Sequence, residues 1–259
     1  MTSTDRRTAL RTGAGLLAAG ALTAGCAPNG AVVHATSPAH PSSAPPSTPS
    51  AAPAPRRLPG RPAQLTHGPR AHPRVALTFH GQGDPALAHT LLTEAEKHGA
   101  RLTVLAVGSW LDQYPDMARR VLDGGHDLGN HTQRHLAVNA MSEADARSEI
   151  TACADRLGHL TGSIGTWFRP SRAPLASPLV LRLARSAGYP HVLSYDVDSL
   201  DYTRPGADAV RRKVLDEVRG GSVVSMHFGY PDTVAALPVV LEELARRGLA
   251  AVTTTELFS

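Results

Sequence analysis

From Arg74 to the C-terminus, short β-branched runs alternate with stretches of helical period, and this alternation constrains the fold more than any other feature. Seven runs read as strands, at 75–79, 102–107, 126–129, 164–168, 191–195, 222–226 and 250–253. Helical patterns fall near 86–98, 115–123, 142–160, 177–187, 206–218 and 232–247. Asp84-Pro85 and Ser177-Pro178 each set a capping side chain before a proline at the first helical position. Ser142 with Asp145 reads as a variant capping box, and Gly99 and Gly188 read as helix terminators. Strict βα alternation implies a parallel sheet covered by helices, either open or closed into a small barrel. No Gly-x-Gly-x-x-Gly follows the first strand, which removes the usual argument for a dinucleotide site.

The chain ahead of Arg74 has a different character. Arg6 and Arg7 lie in a charged segment, and the apolar run 13–25 is too short to span a bilayer but suits a twin-arginine-type export signal. Leu22-Thr23-Ala24-Gly25-Cys26 resembles a bacterial lipobox, so residues 1–26 are expected to be a signal peptide with Cys26 lipidated. That is expected to place the protein at the outer face of the cytoplasmic membrane or in the cell wall, anchored by lipid, or otherwise to release it as a secreted protein. Residues 27–70 are rich in Pro, Ala and Ser and are expected to form a disordered tether to a domain at 71–259. The net charge of +4 reads as a solvated arginine-rich surface. No aromatic-interleaved basic stripe accompanies it, so no nucleic-acid partner is expected, and the domain is expected to be a monomer. Of the two cysteines, Cys153 lies in an apolar helical pattern and reads as a buried thiol, which excludes a disulfide framework.

In βα folds the groups that do chemistry gather at the C-terminal ends of the strands. His80 follows the first predicted strand, His131 and His135 the third, Arg169 the fourth, Asp196 and Asp198 the fifth, and His227 the sixth. The His131-x-x-x-His135 spacing would set two imidazoles on one face of a helical turn, close enough to share a metal ion. Neutral imidazole suits zinc first, with cobalt or nickel as alternatives.

The segment Gly124-Gly125-His126-Asp127-Leu128-Gly129-Asn130-His131-Thr132, with His135 beyond it, resembles the second motif of the NodB-like polysaccharide deacetylases, carbohydrate esterase family 4. Val75-Ala76-Leu77-Thr78-Phe79 resembles the lead-in to the first motif, and Phe168-Arg169-Pro170 resembles the third. Asp198-Ser199-Leu200-Asp201-Tyr202 resembles the fourth, and the run Gly221 to His227 the fifth. The resemblance implies a distorted seven-stranded (β/α) barrel and a metal-dependent hydrolase that removes acetyl groups from N-acetylated polysaccharide such as peptidoglycan or a chitin-like glycan. It implies that His131 and His135 are metal ligands and His227 the general acid. Asp198 would tune His227, Arg169 would orient the base, and Arg172 would offer a backbone N–H to the oxyanion while its side chain charges the groove.

The first motif departs from the family. Where the family has Asp-Asp, supplying a base and a third ligand, this chain has His80-Gly81. Three arrangements are open: His80 as third ligand, His80 as base, or Asp84 swung inward as ligand or base, with Asp84 favoured as a helix cap. The same departure leaves an alternative function, a non-catalytic glycan-binding lipoprotein built on the same fold.

Overall fold

The strand expected at 75–79 becomes the central strand of a parallel sheet in the computed structural model, which describes residues 52–259. The elements are β1 (Gln64–Leu65), β2 (Arg74–Gly81), α1 (Pro85–Lys97), β3 (Thr103–Ala106), α2 (Gly108–Gln113), α3 (Asp116–Asp123), β4 (Asp127–Asn130), α4 (Glu143–Thr161), α5 (Pro178–Ser186), β5 (Val192–Leu193), β6 (Val197–Asp198), α6 (Ala207–Glu217), β7 (Val223–His227), α7 (Pro231–Arg246), β8 (Ala250–Ala251) and α8 (Thr254–Leu257). Asp84, Ser142 and Ser177 cap α1, α4 and α5 through their side chains, as their sequence context predicts.

The sheet runs β4-β3-β2-β7-β6, with β8 paired to the start of β2 and β1 paired to β5, every ladder parallel. Phe168 bridges Asn130 on one side and Val192 on the other, carrying the sheet from β4 round towards β5. The circuit then passes to β6 through the chain itself, so the barrel is distorted and its ladder does not close. The strand expected at 164–168 contracts to that single bridge at Phe168. Gly165, at φ +80°, runs so close to β4 that a Cβ there would lie 2.6 Å from the Leu128 carbonyl oxygen. The strand expected at 191–195 keeps only Val192–Leu193.

Period-two alternation sorts the side chains. Val75, Leu77 and Phe79 of β2 join Val104, Ala106, Val224 and Met226 in the cluster beneath the helices. Ala76, Leu105 and Val223 face the other way, into a barrel interior filled by Trp167, Leu193, Leu257 and Phe258. The same alternation carries His80 and His227 to the interior face, opposite each other in the β2–β7 register. Each fully buried Leu or Phe contributes about 1.5–3 kcal/mol, so a register slip that inverted a strand would be strongly disfavoured.

The tether expected over residues 27–70 does not extend through residues 52–70. From Ala52 the chain packs on the domain: the Pro53 carbonyl accepts from Thr166 Oγ1 at 2.8 Å, Leu58 N–H donates to His191 Nε2 at 2.9 Å, and β1 adds to β5. Proline lacks an N–H but keeps its acceptor, and a two-residue strand is too short to show a period. Cys153 is buried as expected, with its Sγ 3.5 Å from the Ala106 carbonyl oxygen, and burial pushes its thiol up to about 12. The export signal and Cys26 lie outside the described residues. Among the described residues no helix is long and apolar enough to cross a membrane.

Candidate active site

His131 and His135 meet through an irregular loop, a correction to the helical turn expected from their spacing. Thr132 and His135 adopt φ values of 68° and 56°, unusual for residues with a side chain and costly for a β-branched one. The loop is over-determined by its surroundings. Asn130 Oδ1 accepts from Thr132 N–H at 2.8 Å, and Asn130 Nδ2 donates to the Ile150 carbonyl. Thr132 Oγ1 donates to Ser171 Oγ at 3.0 Å, and Glu149 accepts from Arg134 N–H. The two imidazole centroids end 4.9 Å apart. His131 Nδ1–H donates to the Arg169 carbonyl at 3.1 Å, which leaves Nε2 with its lone pair exposed to the site. That Nε2 is buried and has no partner.

His80, at the end of β2, is held from both sides. Arg169 Nη1 lies 3.2 Å from His80 Nε2, and His80 Nδ1 lies 2.8 Å from His227 Nε2. A guanidinium only donates, so His80 Nε2 accepts and its proton sits on Nδ1. That proton is donated to His227 Nε2, and His227 Nδ1–H in turn donates to Asp201 Oδ1 at 2.7 Å. The hydrogen bonds therefore run in one direction, from Arg169 through His80 and His227 to Asp201. Arg169 is fully buried, with Nε and Nη2 on the Leu193 and Ser194 carbonyls, and burial pulls its guanidinium down to about 10.

The partner of His227 is Asp201, a correction to the expected Asp198. Asp201 is fully buried, and its Oδ2 also accepts from His227 N–H at 2.8 Å and Thr233 Oγ1 at 2.7 Å. Asp198 instead accepts from Leu200 N–H and lines the open pocket. Both carboxylates stand in the fourth motif. Choosing between them requires the 3-10 turn at Asp201–Thr203, which turns the second one inward and which no periodicity announces. Asp196 does not reach the mouth: it pairs with Arg70 at 2.8 Å and accepts from Val223 N–H at the opposite end of β7. Asp84 caps α1 by accepting from Ala86 N–H and is not turned into the site. Arg172, at φ 54°, lines the pocket with His80, His135, Tyr195, Tyr202 and His227 around a cavity of about 370 Å³.

These residues suit a metal ion. One ring nitrogen from each of His80, His131 and His135 lies within 4.8 Å of the others. Burial lowers His80 and His131 well below the usual histidine range, and burial followed by the nearby Arg172 charge brings His135 to about 4. All three are neutral at pH 7, the state in which imidazole is a ligand. A buried, unpartnered acceptor costs about 1–3 kcal/mol, so the Nε2 of His131 is the strongest single sign of a site built for a cation. His80 stands at the position where the first-motif resemblance sets a base, and the Nε2 lone pair that a base or a ligand would use accepts from Arg169.

The polysaccharide deacetylase family model matches residues 67–192. The chain is 30% identical to a peptidoglycan-N-acetylglucosamine deacetylase of Bacillus cereus, over 71% of this chain and 87% of that protein. It is 28% identical to a chitooligosaccharide deacetylase of a Bradyrhizobium species, over 67% of this chain and 85% of that one. In three dimensions it is similar to a family 4 carbohydrate esterase from Streptomyces lividans solved with acetate, with a TM-score of 0.64, 26% identity, and coverage of 69% and 91%. It also shares its fold with a carbohydrate esterase family 4 pseudoenzyme from Bacillus anthracis, with a TM-score of 0.72, 23% identity, and coverage of 77% and 70%. The chain belongs to the polysaccharide deacetylase family, whose chemistry is metal-dependent.

Proposed function

We propose that this protein hydrolyses N-acetyl groups on cell-wall glycan, and that His131 and His135 hold the divalent ion, zinc first among the candidates. The observation that carries the reading is the buried, unpartnered Nε2 of His131 set beside His135 and the Arg169–His80–His227–Asp201 relay. When bound, the ion would polarise the acetyl carbonyl and acidify water. Arg169 donates to His80 Nε2 and keeps the ring uncharged, and proton uptake from water at Nε2 requires Arg169 to give up that hydrogen bond. As Nε2 gains that proton, the Nδ1 proton passes to His227 Nε2, and His227 delivers it to the departing amine. Asp201 holds His227 in the required tautomer. Arg172 flanks the carbonyl pocket through its backbone N–H and charges its rim. An N-terminal export signal and lipid at Cys26 would hold the enzyme at the wall.

Metal analysis by mass spectrometry tests the assignment. The parent chain should carry about one equivalent, lost in His131→Ala and retained in His80→Ala. Loss in His80→Ala would make His80 the third ligand, which the 4.8 Å grouping of the three nitrogens favours as a second arrangement. No metal in the parent after loading with zinc, cobalt or nickel would overturn the hydrolase reading. The alternative, glycan binding without turnover, draws on Gly81, which brings no carboxylate to the site. His227→Ala separates the two, since a hydrolase loses turnover and a binder keeps its affinity.

A further inference from the structure

Nine arginines among the described residues are ion-paired with carboxylates. Arg57, Arg61 and Arg185 are different. All three are exposed, none has a carboxylate partner among the described residues, and they line one depression of about 110 Å³. No acidic side chain lines it. Like charges gathered without a counter-charge repel one another, so folding alone disfavours the arrangement.

The surrounding backbone holds the three together. Leu58 to Arg61 has the type II turn pattern: Pro59 at the first central position, Gly60 at φ 74° at the second, and Arg61 N–H donating to the Leu58 carbonyl at 3.2 Å. His191 pins that turn to the barrel and is 5% exposed. Its Nε2 accepts from Leu58 N–H at 2.9 Å, and its Nδ1–H donates to the Pro62 carbonyl at 2.8 Å. Arg57 and Arg61 each adjoin a residue that His191 fixes. Arg185 comes from the last turn of α5, where the Leu183, Ala184 and Arg185 carbonyls accept from the N–H groups of Ala187, Tyr189 and Gly188. The helix end is therefore capped without the Arg185 guanidinium. His191 immediately precedes β5, so the depression opens at the N-terminal ends of the strands, opposite the mouth that holds His80 and His227.

Size and donor geometry select the ligand. The space equals that of a few water molecules, at about 30 Å³ each, and admits one small oxyanion. Each guanidinium is a planar fork of N–H donors that meets two oxygens at once. A carboxylate fills one such fork, whereas the tetrahedral oxygens of phosphate can be shared among three. We infer that this depression is a phosphate-binding site, separate from the hydrolytic centre, which takes free phosphate or the phosphate of an anionic phospholipid headgroup. The inference stands independently of the glycan reading.

The test titrates inorganic phosphate into the full chain and follows its unfolding temperature, with sodium chloride at matched ionic strength as the control. A ligand of the folded state raises the midpoint as its concentration passes Kd, so phosphate should raise it and chloride should not. Arg57→Gln, Arg61→Gln and Arg185→Gln should each weaken phosphate binding by about threefold to tenfold, and the triple variant should lose the shift. All three side chains are exposed, so these variants should unfold near the parent temperature when phosphate is absent. Arg182→Gln removes the same charge from the same helix outside the depression and should bind phosphate as the parent does. No phosphate-specific shift in the parent, a shift that survives in the triple variant, or an equal loss in Arg182→Gln overturns the site. Vesicles of phosphatidylglycerol and phosphatidylcholine separate the two sources. A headgroup ligand requires the parent to bind the anionic vesicles several-fold more tightly than the triple variant does, with inorganic phosphate competing. Equal vesicle binding beside an intact phosphate shift assigns the site to the free ion.

Discussion

Replacing Asp201 by Asn should uncouple the histidine relay while changing almost no volume. Asp201 Oδ2 accepts two protons, from His227 N–H and Thr233 Oγ1, whereas Oδ1 accepts only from His227 Nδ1. An amide keeps its oxygen where two donors need it, so the NH2 falls opposite His227 Nδ1. That nitrogen must then accept, and the His227 proton moves to Nε2, where it meets the His80 Nδ1 proton. His80 can resolve the conflict by changing tautomer only at the cost of its hydrogen bond from Arg169. One hydrogen bond to a charged group, about 1.5–3 kcal/mol, is lost at the point where the proton should pass. Carried fully into the barrier, that loss lowers the rate by about 10- to 150-fold. Acetate release from the N-acetylglucosamine pentamer measures it, and the 15N shifts of His227 report the tautomer independently. Asp198→Asn should leave that tautomer unchanged, since Asp198 accepts from Leu200 N–H and does not bond His227. Asp201→Asn with unaltered turnover and tautomer, or a tautomer change in Asp198→Asn instead, would refute the reasoning.

Two further outcomes follow from burial. Gly81→Asp, which restores the family residue, should cost about 2–4 kcal/mol in urea unfolding because a carboxylate would enter an apolar layer, and metal content should not rise. Stronger metal binding with no loss of stability would show that residue 81 faces the site. Cys153 has its thiol held near 12 by burial, above its ordinary value of 9.0, so the folded state disfavours the thiolate. Stability is therefore complete below about pH 9 and falls by about 1.4 kcal/mol per pH unit between the two values, a slope that Cys153→Ala should lack when unfolding midpoints are compared.

Much of the site was legible because strand ends are places where a backbone rule fixes side-chain position. His80, Arg169 and His227 converge as the βα reading expects, and the legible caps at Asp84, Ser142 and Ser177 fix the helix starts that aim the strands. What was not legible depends on backbone geometry without a period. The His131–His135 loop carries two left-handed residues, and the turn that brings Asp201 rather than Asp198 beneath His227 is three residues long. The six-residue α2 is likewise too short for a 3.6-residue pattern to declare itself. Residues 52–70 escaped for a different reason: their proline-rich composition resembles a linker, while their carbonyls bond Thr166 and His191.

The departure in the first motif follows from the same alternation that made the site readable. His80 and Gly81 are neighbours on one strand, so they face opposite sides of the sheet. His80 meets Arg169 and His227 on the interior face, whereas a Cβ on Gly81 would lie 2.8 Å from Val104 Cγ1 and 3.1 Å from Ala106 Cα, both beneath the helices. As β2 stands, paired through Gly81 to Ala106, no side chain at 81 reaches His131 or His135. A family carboxylate at this position would need the strand to end earlier and turn. The glycine is therefore more than a missing ligand, because it lets β2 continue one residue further and carries Gln82 to the lining of the pocket. On the function proposed above, the proton chemistry falls to the His80–His227 pair and the cation to His131 and His135.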